Sequence, residues 1–176
     1  MKKLLIVLLL SFPLFGDSLT LQEGFVGAHT EMIMDSTIDP LNTHLKADMS
    51  IDGNDLLSLK GKLWIDMDLF RSDNKDRDEH MNEANEVSKF PIATYNISSL
   101  TKSEKENMYV LHGTLDFHGT QKPFMLDAEI LEKDSQIVIN ATTNFLLSDY
   151  GVEAPCMVFM CVRDKVDIFA KAVLVR

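Results

Sequence analysis

RSDNKDRDEHMNEANEVSKFP, Arg71–Pro91, is the longest polar passage of the chain, and the segments on either side of it read mostly as strands. Asp76 and Glu79 stand at the spacing of a capping box, with Asp in place of Ser or Thr and Arg77 as the first helical residue. Asp78 and Glu79 put two acids into the first turn, where they suit the positive end of a helix dipole. Met81, Ala84 and Val87 fall three apart and give the helix one thin apolar stripe. Pro91 disfavours helical geometry at Phe90, so the helix is expected to stop near Ser88. The reading is one short helix near residues 77–88, inserted between the strands of a β-protein.

Outward from that insert, alternation dominates. Residues 57–70 place Leu59, Leu63, Ile65, Met67 and Leu69 on one face and Lys60, Lys62, Trp64, Asp66, Asp68 and Phe70 on the other. On the far side, Ala93, Tyr95 and Ile97 share a face. So do Tyr109, Leu111, Leu115 and Phe117, and next Phe124, Leu126, Ala128 and Ile130. Leu45, Ala47, Met49 and Ile51 form a half-buried strand, and Gly53-Asn54 behind it reads as a hairpin turn. Residues 19–34 open as a weakly periodic strand, 35–42 and 118–123 read as turns, and 147–155 as a loop. Residues 136–145, 157–162 and 166–175 supply the last strands. Eight or nine strands at this spacing make an all-β barrel or sandwich.

Composition bounds the class. A chain of 176 residues is one domain or at most two small ones, and 45% hydrophobic residues allow a sizeable core or a lined cavity. A net charge of −10 without a basic stripe argues against nucleic acid and against electrostatic docking on anionic lipid. Lys2, Lys3, the apolar run 4–10 and Pro13 before Gly16 have the layout of a secretory signal peptide, too short to span a bilayer. Residues 1–16 are therefore expected to be removed, with cleavage near Gly16, export to the periplasm and no stable membrane anchor afterwards. Residues 17–176 would then form a single domain.

Export permits disulfides, and the only cysteines are Cys156 and Cys161. On one continuous strand their Cα atoms would lie about 16 Å apart, against a limit near 7 Å for a bridge. No intrachain disulfide is expected unless that strand is broken between them.

The series SDN-x-x-RD-x-HM at Ser72–Met81, KFP at Lys89–Pro91, Y-x-x-x-G-x-L-x-x-HG-x-x-KP at Tyr109–Pro123 and SDYG at Ser148–Gly151 resembles the YceI-like family. The resemblance covers most of the chain in the right order. It implies an antiparallel lipocalin-like barrel of about eight strands, typically periplasmic, holding a polyisoprenoid or similar long-chain lipid, with no established enzymatic activity. A homodimer is also part of what the family admits. Residues 26–40 and the cysteine-bearing close, APCMVFMCVRDKVDIF, depart from the usual family pattern.

The inward, ligand-lining set is expected to be Leu63, Ile65, Met67, Tyr95, Leu115, Phe117, Leu126, Phe145, Val158, Met160 and Ile168. The same residues would equally make a packed, ligand-free core, because strand parity does not separate the two. Ten methionines suit adaptable apolar space. Arg77, Asp78 and His80 read either as a cap and local charge pair or as rim groups that orient a ligand head group. Trp64 and Phe70, on the polar face, either pack under the helix or point inward.

Catalysis finds no footing. There is no G-x-S-x-G, and acids at a helix start are favoured in their charged form, the opposite of a general acid. The expectation is no enzyme, no cofactor and no metal site. His29 with Glu31, and His112 with Asp116 and His118, share strand faces and carry the alternative of a metal-binding envelope protein. A third reading is an envelope interaction module that uses exposed strand edges.

Overall fold

The computed structural model describes residues 16–32, 36–157 and 160–176. The expected signal peptide lies outside them, as do Val158 and the side chain of Met160. Twelve strands are described: β1 (Asp17–Met32), β2 (Ser36–Ile38), β3 (Leu41–Asn42), β4 (Lys46–Asp52), β5 (Asp55–Asp66), β6 (Ile92–Lys102), β7 (Met108–Phe117), β8 (Thr120–Lys133), β9 (Gln136–Leu146), β10 (Cys156–Met157), β11 (Met160–Cys161) and β12 (Lys165–Val175). One helix, α1 (Lys75–Ala84), interrupts them.

β12, β9, β8, β7, β6, β5, β4 and β1 pair in that order, and β1 closes back on β12. Every barrel pairing is antiparallel. The fold is the expected closed eight-stranded barrel with one helix. No helix among the described residues is long and apolar enough to cross a membrane.

The alternation read from sequence sets the inside. At the end away from the helix, Met49, Ile51, Leu59, Leu111, Ile130, Ile137 and Leu174 are fully buried and close the barrel with packed side chains. At the helix end a second cluster gathers Phe70, Val87, Phe117, Tyr150, Val152 and Val166. Phe117, Phe145 and Tyr150 meet edge to face there, with centroids 5.3–5.6 Å apart. Burial pushes the phenol pKa of Tyr95 and of Tyr150 upward, the latter with help from Asp149.

Several local expectations need correction. The helix begins two residues early: Asn74 is its cap, and its side chain accepts the Arg77 N–H at 3.2 Å. Asp76 therefore falls in the first turn, and the helix ends at Ala84 rather than near Ser88. Residues 35–42 contain more than a turn, since β2 and β3 both pair with β1. The turn before β8 is shorter than read. His118 and Gly119, both at positive φ, make it alone, and Gln121 to Pro123 already pair with β7. The strand over residues 57–70 ends at Asp66, and Met67–Leu69 is a turn of 3-10 helix.

The largest correction concerns Cys156 and Cys161. They do not lie on one strand: β10 and β11 are the two arms of a hairpin that places Cys156 opposite Cys161. Their Cα atoms are 4.0 Å apart, and they form a disulfide. The estimate of about 16 Å failed because the chain reverses between them. Bonds to β1 hold the returning arm: Arg163 N–H donates to the Glu31 carbonyl at 2.8 Å, and Met32 bridges Val162.

Candidate functional site

α1 lies across the upper end of the barrel and is tied down at both ends. At its start, Leu41 and Arg71 exchange backbone hydrogen bonds of 2.8 and 3.0 Å. The fully buried Asn42 donates to the Asp66 carbonyl at 2.8 Å. Past its end, Glu86 reaches His118 Nε2 at 2.9 Å, a close contact off the angle of a hydrogen bond. The His118 ring packs on Phe90, with centroids 4.3 Å apart, and its Nδ1 sits 3.1 Å from the Tyr150 carbonyl.

Below the helix is a cavity of about 770 Å³, within the range of small-molecule sites. Leu63, Ile65 and Met67 line it from one side and Tyr95, Leu115 and Phe117 from the adjoining strands. Leu126, Phe145 and Ile168 complete the part of the inward set that the structure describes. Val158 and the side chain of Met160 fall outside the described residues. Tyr95 brings a polar tip to the wall, and its hydroxyl is used by the wall itself, donating to the Leu111 carbonyl at 2.8 Å.

The space has a cause in the sequence that parity reading passed over. Across β8, β9, β12 and β1 the register aligns Ala128, Ala141, Ala170 and Val26 in one row. Three of these, Ala141, Ala170 and Val26, line the cavity, and so do Ala28, Ala93 and Ala172. Alanine at inward positions of several neighbouring strands leaves the volume that leucine would fill in a solid core.

The three rim candidates separate. Arg77 and His80 line the cavity mouth together with Asn74, Asp76 and Glu83. Arg77 Nη1 donates to Asp73 Oδ1 at 2.8 Å. Asp78 does not line the cavity; it is 7% exposed and accepts the Ser72 N–H at 2.8 Å, anchoring the chain that leads into the helix. Phe70 packs in the upper core with Val87 and also lines the cavity, and Trp64 lines it too, with Lys62 Nζ 4.7 Å from its ring centroid. Val152, Pro155 and Val162, at the base of the disulfide hairpin, also line the cavity, and nothing in strand parity pointed to them.

The histidines do not converge. His29 Nδ1 is 2.5 Å from Asp39 Oδ1, His112 Nε2 is 2.8 Å from Thr101 Oγ1, and His118 leaves its strand face for Glu86. The bond to Asp39 raises the His29 pKa, and the same bond, with Thr37 and the nearby Arg77, lowers that of Asp39. Among the described residues no group of three or more His, Cys, Asp or Glu is placed to hold a metal ion.

Solved structures share this architecture at low identity. The crystal structure of Burkholderia cenocepacia BcnA superposes with a TM-score of 0.74 at 16% identity, over 85% of this chain and 95% of that one. A polyisoprenoid binding domain from Saccharophagus degradans, implicated in plant cell wall breakdown, gives 0.70 at 14% identity, over 89% and 97%. The Campylobacter jejuni YceI protein gives 0.69 at 17% identity, over 82% and 88%. At these identities the likeness speaks for the fold. No curated protein sequence matches the chain. The family profile described as the YceI-like domain matches residues 19–174, nearly the whole barrel, and the chain belongs to the YceI-like family.

Proposed function

We propose that the barrel holds one long-chain, water-insoluble ligand, a polyisoprenoid, quinone-like or fatty acyl or amide molecule, for carriage or sequestration in the periplasm. The observation that carries this reading is the 770 Å³ apolar cavity beneath α1, open at a polar mouth. Each chain methylene moved from water into such a space gains about 0.8 kcal/mol. At roughly 30 Å³ per group of water size, the cavity takes on the order of 25 chain carbons. Arg77, His80, Asn74 and Asp76 stand where a head group would emerge. The polyisoprenoid-binding domain among the structural neighbours supports the ligand class. The function read here is binding: the groups at the mouth can orient a head group, and the Tyr95 hydroxyl inside is held by the Leu111 carbonyl.

The test is native mass spectrometry of the protein purified from its own periplasm, followed by organic extraction. A stoichiometric hydrophobic molecule is expected. An empty protein that also takes up neither prenyl nor acyl chains would sink the reading.

A further inference from the structure

The barrel wall parts between β1 and β4. Their ladder ends at the pair Leu19 and Met49, and the next strand on that edge of β1, β3, begins only at Val26 opposite Asn42. Residues 20–25 thus have no ladder partner on that side, while their other edge is paired with β12 through a register shift between Leu21 and Glu23. At this seam lies a second, more open pocket of about 360 Å³, in which Leu21, Phe25 and Leu45 share the lining with the polar Gln22, Glu23 and Thr43. Leu45 lines both this pocket and the main cavity. Its side chain rests on the bare backbone of Gly24: a Cβ at that position would lie 2.7 Å from Leu45 Cδ2. This half-buried side chain is thus shared by the two spaces.

We propose that Leu45 is the stop that sets the length of chain the barrel accepts, closing a side exit through the β1–β4 seam. This rests on the reading that the cavity binds a long chain. The main cavity takes on the order of 25 carbons, and the seam pocket adds room for about a dozen more at the same volume per group. With Leu45 in place, carbons beyond the first count stay at the mouth in water and add no affinity. With Leu45 cut back, the tail passes between Gly24 and Thr43 into the seam.

The experiment is competition in native mass spectrometry. Delipidated protein is offered equimolar prenyl alcohols of about 15, 25 and 40 carbons. Wild type is expected to gain affinity from the first to the second and nothing from the second to the third. Leu45→Ala is expected to favour the longest over the middle one at least tenfold, and a melting curve without ligand reports that it is folded. Leu45→Val is expected to shift the profile in the same direction by less, and carries the test if the alanine variant does not fold. A wild type that binds no prenyl alcohol removes the binding reading itself. A wild type that binds while both variants keep its length profile, or a wild type whose affinity rises through the longest chain, overturns the role of Leu45 alone.

Discussion

Filling the cavity from its wall tests whether the space is where the ligand sits. Ala170 is the residue to change. It points inward from β12, lies between Val26 of β1 and Ala141 of β9, and lines the cavity. Leucine there adds three carbons to the space and displaces about three chain carbons. At about 0.8 kcal/mol each, Ala170→Leu costs the complex about 2.4 kcal/mol, roughly fiftyfold in Kd for a chain that fills the cavity. A chain short enough to leave that level empty keeps its affinity. Thermal stability is expected to hold or rise, because the added carbons fill room already present and force no neighbour out of its rotamer. The assay is a titration of a short and a long prenyl alcohol, with a melting curve of each protein in the absence of ligand. Two results would refute the reasoning. Unchanged affinity for the long chain in a folded variant would place the ligand elsewhere. A destabilisation of about 1–3 kcal/mol, the usual cost of overpacking, would mean that the wall closes on itself and the volume is not free.

Other expectations follow from single contacts. Cys156→Ser is expected to cost up to about 2 kcal/mol, the unfolded-state entropy of so short a loop, and unreduced wild type should show no free thiol on alkylation. Asp78→Ala leaves the Ser72 N–H without its acceptor, so denaturant melts should show a loss of about 1–3 kcal/mol with chain-length selectivity unchanged; altered selectivity would return Asp78 to the rim. His29 has a raised folded pKa, so its contribution to stability is complete below the ordinary imidazole value near 6.5 and is lost as pH rises through the raised one. Asp39 is lowered, so its contribution is lost as pH falls through that lowered value. An NMR titration should put His29 above a free imidazole and Asp39→Asn should bring it back; an unshifted His29 in wild type would break the pair. Gly113→Ala would drive a methyl into the Asn96 carbonyl and set it 2.7 Å from the Tyr95 ring, and is expected to destabilise the β6–β7 pair without touching the mouth.

Much of this fold was legible because strand parity is a local property. Ala93, Tyr95 and Ile97, or Phe124, Leu126, Ala128 and Ile130, needed only a period of two to be placed inward. Antiparallel neighbours then brought them together at short range in sequence. The helix insert was equally visible from its charge and from Pro91, although Asn74 caps it where Asp76 was expected. The nine described members of the inward set all face one space. Whether that space is full or empty was not legible. It depends on Ala128, Ala141, Ala170 and Val26 falling into one row across four strands, a sum over distant segments that no single strand carries. Asp78 looked like any acid of a first helical turn until its buried contact with Ser72 was seen. The disulfide failed for the same kind of reason. Parity is blind to a chain reversal, and the reversal between Cys156 and Cys161 is fixed by Val162 and Arg163 docking on Met32 and Glu31, more than a hundred residues earlier. The sequence by itself determined which side chains face inward, because alternation is written residue by residue. Only the tertiary structure decided that they enclose a cavity, because volume is what remains after every strand has been set against the others.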